Sequence, residues 1–101
     1  MPPVVAPRPA PAPNIDAEIA AIDAARAALT TERSAEALTR VETYRRTFAA
    51  PHFTDEADAI EVQALAALGR KDEARSKADE FLTRHARSPY AQRVRSAVGM
   101  K

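Results

Sequence analysis

Two stretches of this chain, SAEALTRVETYRRTFAAPHF (residues 34–53) and KDEARSKADEFLTRHARSPY (71–90), align at an offset of 37 residues. Glu36-Ala37 falls on Glu73-Ala74, Val41 on Ala78, Tyr44 on Phe81 and Phe48 on His85. Each stretch follows a run that ends in Ala-Leu, at Ala28-Leu29 and Ala67-Leu68. The chain therefore reads as two copies of a helix–turn–helix unit followed by a terminal helix. Such a unit cannot bury its apolar face alone, so copies must stack.

The periodicity supplies the elements. Ile15, Ile19, Ile22 and Leu29 recur at helical spacing and predict one apolar stripe on a first helix, with Asn14 as its N-cap. Asp16 and Glu18 fall in the first turn, where the helix dipole favours acids. A second helix over about Ser34 to Ala49 carries Ala37, Leu38, Val41, Tyr44 and Phe48, and Pro51 stops it. Thr54 is placed to cap a third helix, whose stripe is Ala57, Ile60, Ala64, Leu65 and Leu68. Gly69 then supplies the left-handed residue that a helix end needs. A fourth helix over about Lys71 to His85 shows Ala74, Ala78, Phe81 and Leu82. Ser88-Pro89 reads as an N-cap and first position of a short fifth helix bearing Tyr90, Ala91, Val94 and Val98.

Composition suits this plan. Hydrophobic residues make up 46% of the 101, but aromatics only 5%, so the core must be Ala, Leu, Ile and Val in close approach. The length allows one domain. The absence of cysteine removes disulfides, thiolate metal sites and cysteine nucleophiles, and fits any compartment. No stretch approaches the roughly 18 apolar residues of a membrane span. Residues 1–13 form a Pro/Ala-rich segment with six prolines in residues 2–13, read as an extended spacer of about 40 Å at ~3.1 Å per residue. The alternative is a ligand for a proline-reading domain. Met1 is followed by Pro2 and Pro3 rather than by a signal-peptide pattern, and the expectation is that the natural chain extends upstream.

At these residues the chain resembles the tetratricopeptide-repeat family. ALAALGRKDEARSKADEFL carries the Leu-Gly turn, the small Ala74 where two helices cross, and Phe81 in the second helix. The tail FLTRHARSPYAQRVR is similar to repeat endings in Gram-negative envelope proteins and in C-terminal domains of single-pass membrane proteins. The resemblance implies an all-α, right-handed α-α superhelix. It comprises two hairpins (about 14–50 and 54–86) and a C-terminal capping helix (about 89–98), within a helical domain over 14–99. The sequence departs from the family in a 37-residue period and in Ala86 where proline is usual. It departs also in a first turn, TTERS, without glycine and expected to be two residues longer.

The resemblance also implies a non-catalytic scaffold in which the first helices of successive hairpins line a peptide groove. Here that face is expected to present Ala20, Ala24, Ala27, Glu56, Ala59 and Gln63. It lacks the Lys and Asn with which some relatives grip a C-terminal carboxylate, so binding of such tails is not expected. The reading is of a protein or peptide partner, in the C-terminal part of a larger bacterial envelope-associated protein. The expected location is periplasmic, with cytoplasmic as the alternative, and any membrane anchoring would come through an upstream segment.

No catalytic, cofactor-binding or metal-binding residue is expected. His52 and His85 lie 33 residues apart without zinc-type spacing, and His85 has a structural reason to sit at a helix C-terminus. Glu42 with Arg45 or Arg46, and Asp72 with Arg75, are expected to pair along their own helices. The two glycines cannot form a phosphate-cradling loop. Charge is polarised: residues 14–69 hold ten acids and five bases, net −5, and residues 70–101 hold nine bases and four acids, net +5. Arg84, Arg87, Arg93 and Arg95 form a candidate basic patch for an anionic surface, or simply the polar outer face of a capping helix. Nucleic acid is disfavoured, since a single-strand reader wants exposed aromatics among the bases. Two hairpins are fewer than the roughly three repeats usually needed for stability, which makes a homo-oligomeric spacer the alternative function.

Overall fold

The computed structural model describes residues 15–100. Five helices follow in order: α1 (Ile15–Thr30), α2 (Ser34–Thr47), α3 (Thr54–Ala67), α4 (Lys71–Arg84) and α5 (Ala91–Ala97). The described residues contain no strand. The Pro/Ala-rich segment and the Asn14 cap lie outside the described residues.

Helix α1 packs on α2 and α3, α3 packs also on α2, α4 and α5, and α4 packs on α5. The central position of α3 shows in its burial. Ala57, Ile60 and Ala64 join a core with Ile22, Ala25, Ala28, Ala37, Val41 and Tyr44. Ala59 and Val62, on another side of the same helix, join Ala78, Phe81, Ala91 and Val94. Alanine at so many of these positions brings helix axes close, as the composition demanded.

The 37-residue period holds in three dimensions. Ala37 and Ala74 are both fully buried, as are Val41 and Ala78, and Tyr44 and Phe81 are each 1% exposed. The turns after α1 and α3 are also equivalent. Each helix is followed by three residues, which corrects the expectation of a longer first turn. Gly69 adopts φ 79°, and Glu32 takes the same left-handed backbone at φ 62°. Arg33 N–H donates to Ala28 O at 2.8 Å, and Arg70 N–H to Leu65 O at 2.9 Å, closing the same helix-end motif. Ala28 thus corresponds to Leu65, so the alignment of the two Ala-Leu pairs was two residues out of register.

The first apolar stripe also needs correction. Ile15 and Ile19 are 38% and 42% exposed, and α1 instead buries Glu18, Ile22, Ala25 and Ala28. The helix is turned by one residue, about 100°, from the reading that the isoleucines suggested. Leu68 is exposed as well. Thr54 is not a cap: Phe53 precedes α3, no side chain caps it, and Asp55 Oδ1 accepts the N–H of Glu56 at 2.9 Å. Ser88 does cap its turn, its Oγ accepting the Tyr90 N–H at 3.1 Å, but regular helix begins only at Ala91.

Candidate functional site

Helices α1, α3 and α5 share a groove of about 320 Å³. Its apolar lining includes Leu29, Ala59 and Ile60, and its polar lining includes Arg26, Gln63 and Arg93. Glu56 stands at one side, 7% exposed and held from two directions. Tyr90 O–H donates to its Oε1 at 2.6 Å. Its Oε2 forms an ion pair with the Arg26 guanidinium rather than a hydrogen bond of ordinary geometry. Arg26 also meets Asp23 at 3.3 Å. The Arg93 guanidinium carbon lies 5.9 Å from the Tyr90 ring centroid. Tyr90 and Glu56 therefore stitch α5 to α3, and Arg26 joins α1 to the same carboxylate.

Of the residues expected on this face, Glu56, Ala59 and Gln63 do line the groove, and Ala20, Ala24 and Ala27 do not. Ala59 is nearly fully buried beneath α5, while Ala20 and Ala27 are exposed elsewhere on α1. The α1 wall consists of Arg26, Leu29 and Thr30 instead. The rotation that buries Glu18 causes this change. No local pattern announced Arg26, because its role depends on Glu56, 30 residues away in sequence.

A second polar centre lies where α1 meets the loop between α2 and α3. Glu18 is 1% exposed. Its Oε1 accepts from Tyr44 O–H and from the His52 backbone N–H, both at 2.8 Å, and His52 Nδ1 lies 2.7 Å from Oε2. The Tyr44 oxygen in turn accepts the Phe53 N–H at 3.0 Å. Burial pushes the Glu18 carboxyl up, but the His52 and Tyr44 hydrogen bonds outweigh it and hold the group below its ordinary 4.5. Burial, helped by the adjacent Glu18 carboxylate, pushes the Tyr44 phenol up to about 12, against the pull of the Phe53 N–H. Every strong acceptor here is occupied by a structural donor, so the arrangement ties helices together.

A third centre joins α2, α3 and α4. Arg45 reaches across to α3, pairing with Asp58 and with Glu61 at 3.2 Å, rather than with Glu42 on its own helix. Burial lowers its pKa, but Glu61 and Asp58 raise it more, so the guanidinium titrates above its ordinary range. His85 Nε2 lies 3.6 Å from Asp58 Oδ2, and its ring packs on Phe81. The expected Asp72–Arg75 pair does not form; Arg70 pairs with Glu73 instead at 2.8 Å. The four arginines expected to form a basic patch have different surroundings. Arg84 lines this acidic centre, Arg93 lines the α1–α3–α5 groove, Arg87 is exposed in the loop before α5 and Arg95 is half-buried. Among the described residues no three His, Cys, Asp or Glu side chains cluster to hold a metal ion. No described helix is long and apolar enough to cross a membrane. Set against protein-family models, curated proteins and solved structures, the chain finds no match.

Proposed function

We propose that this chain is a non-catalytic protein–protein interaction module, a tetratricopeptide-like scaffold. In this reading α1–α2 and α3–α4 are the two hairpins of a right-handed superhelix and α5 is its cap. The observation that carries it is the groove between the first helices of successive hairpins, with an apolar floor and an arginine at each side. It suits an extended segment of a protein partner that lays an apolar side chain over Leu29 and Ile60. An acidic side chain of the same segment would meet Arg93, since Arg26 is committed to Glu56. The Pro/Ala-rich composition of residues 1–13 and the resemblance of the tail to envelope repeat endings support a place in the bacterial periplasm, as the C-terminal part of a larger envelope-associated protein.

Peptide selection from a random library against the folded domain tests this. Selected peptides should carry an apolar residue near an acidic one, and Arg93→Glu should weaken their binding at least tenfold. A library that yields no peptide binding below about 1 mM, or peptides indifferent to Arg93→Glu, defeats the groove reading.

A further inference from the structure

The 37-residue period allows the two ends of the stack to be compared with its middle. Helices α3 and α5 begin 37 residues apart, and each packs on the hairpin before it. Helix α3 runs for 14 residues, but α5 for only seven. Gly99, at φ 73°, ends α5 with the motif already seen at Glu32 and Gly69, the Met100 N–H bonding Arg95 O at 2.8 Å. On the first hairpin, the second half of α3 is in place: Ala64 packs with Ala28 and Ala37. On the second hairpin, α5 offers no counterpart. There an open cleft of about 490 Å³ lies among Ala66, Lys71, Ala74, Arg75, Ala97 and Val98. Ala74 and Arg75 are the period-equivalents of Ala37 and Leu38.

The opposite end presents an exposed helical face. Ile15, Asp16, Ile19, Ala20, Asp23 and Ala27 lie along one side of α1 at spacings of three, four or five, and all are exposed. Asp16, Ala20, Asp23 and Ala27 stand 37 residues before Phe53, Ala57, Ile60 and Ala64. Those four α3-side residues are the ones packed against the first hairpin. This side of α1 thus occupies a position that is an interface one unit later. It also bears two of the exposed large hydrophobic residues, on one helical line.

The charges of the two ends are opposite. Asp16 and Asp23 flank the isoleucines, and the cleft is bordered by Lys71 and Arg75 with Asp72 as its one acid. The same polarity runs through the whole chain, net −5 over residues 14–69 and +5 over 70–101.

We infer that the chain associates head to tail with a second copy of itself, the first three turns of α1 of one copy seating in the α3–α4–α5 cleft of the next. Ile15 and Ile19 cover the partly exposed Ala66, Ala97 and Val98, and Asp16 and Asp23 face Lys71 and Arg75. This goes beyond the groove reading, because the contact uses the ends of the stack and leaves the groove open. Its failure would leave peptide binding untouched. A heterologous contact of this kind leaves one free end on each terminal copy, so assembly runs to short rods rather than to a closed dimer.

Sedimentation from about 1 μM to about 1 mM tests it, with two variants at exposed positions checked for helicity. Ile19→Lys blocks the α1 face, and Arg75→Glu blocks the cleft. The wild-type mass should rise with concentration and fall as salt is raised. Each variant alone should remain monomeric. Their equimolar mixture should form dimers and stop there, because only one intact face of each kind remains per copy. A wild-type chain that is monomeric throughout overturns the inference. So does a variant that still associates singly, which would mean that one face pairs with itself, or a mixture that stays monomeric, which would mean that both residues belong to one reciprocal contact.

Discussion

At the end of α2, Tyr44 and Phe48 pack with ring centroids 5.3 Å apart and planes at 45°. Thirty-seven residues later Phe81 and His85 repeat the arrangement at 5.2 Å and 52°. Around these matched rings the polar chemistry differs. The α1–α2 pair ties its start to its following loop through Glu18, Tyr44 and His52. The α3–α4 pair does so at the equivalent position through Asp55, whose Oδ2 accepts from Ser88 Oγ at 3.0 Å. The groove of the α3–α4 pair, between Asp58, Lys77, Glu80 and Arg84, receives Arg45 from α2. The equivalent groove of the α1–α2 pair is lined by Ala21, Arg40, Thr43, Thr47 and Phe48. Its threonine hydroxyls bond the carbonyls of their own helix, Thr43 to Thr39 at 3.0 Å among them. The backbone plan is repeated through small and aromatic residues, while the ties that lock each copy were solved separately.

The most severe test of the shared plan is Phe81→Ala. It should cost about 3–5 kcal/mol by opening a cavity in a fully buried site, a large part of the roughly 5–15 kcal/mol that a domain has. Chemical denaturation measures it, and a cost near 1 kcal/mol would mean that α3 and α4 are not packed as described.

The difference in polar ties predicts an asymmetry. Tyr44→Phe should cost about 1–3 kcal/mol, because it removes the hydroxyl that bridges Glu18 and the Phe53 N–H. The same network has a pH signature. Glu18 titrates below its ordinary 4.5 in the fold, so it contributes stability present above pH 4.5 and lost as pH falls through the folded value. Glu18→Gln should flatten that acid limb. Tyr44, moved from 10 to about 12, contributes stability present below pH 10 and lost as pH rises through about 12. Phenolate absorbance followed against pH should show that late titration, and its disappearance in Tyr44→Phe.

The two turns should respond with opposite signs. Gly69→Ala should destabilise by about 1 kcal/mol through backbone strain alone, since nothing lies within 4 Å of the added methyl. Glu32→Gly should stabilise by up to about 1 kcal/mol, relieving the same left-handed strain. Equal signs in thermal unfolding would contradict the equivalence of the turns. The smallest effect is expected at Arg45→Met, below about 1 kcal/mol and shrinking with salt, because this ion pair is partly solvated.

The sequence by itself determined the number and order of the helices, the 37-residue period, the burial of Ala37 and Ala74, and the left-handed turn at Gly69. These follow from short-range rules: apolar spacing and the φ freedom of glycine. Only the tertiary structure decided which side of α1 faces inward. Any hydropathy reading prefers Ile15 and Ile19 to Glu18 for burial. Glu18 is buried because Tyr44 and His52, 26 and 34 residues away, converge to satisfy its oxygens. That choice carried the groove with it, placing Arg26 and Leu29 where Ala24 and Ala27 were expected. It also left the two isoleucines on the surface. A buried polar group is tolerated only when its distant partners arrive together, and no local window of sequence contains that condition.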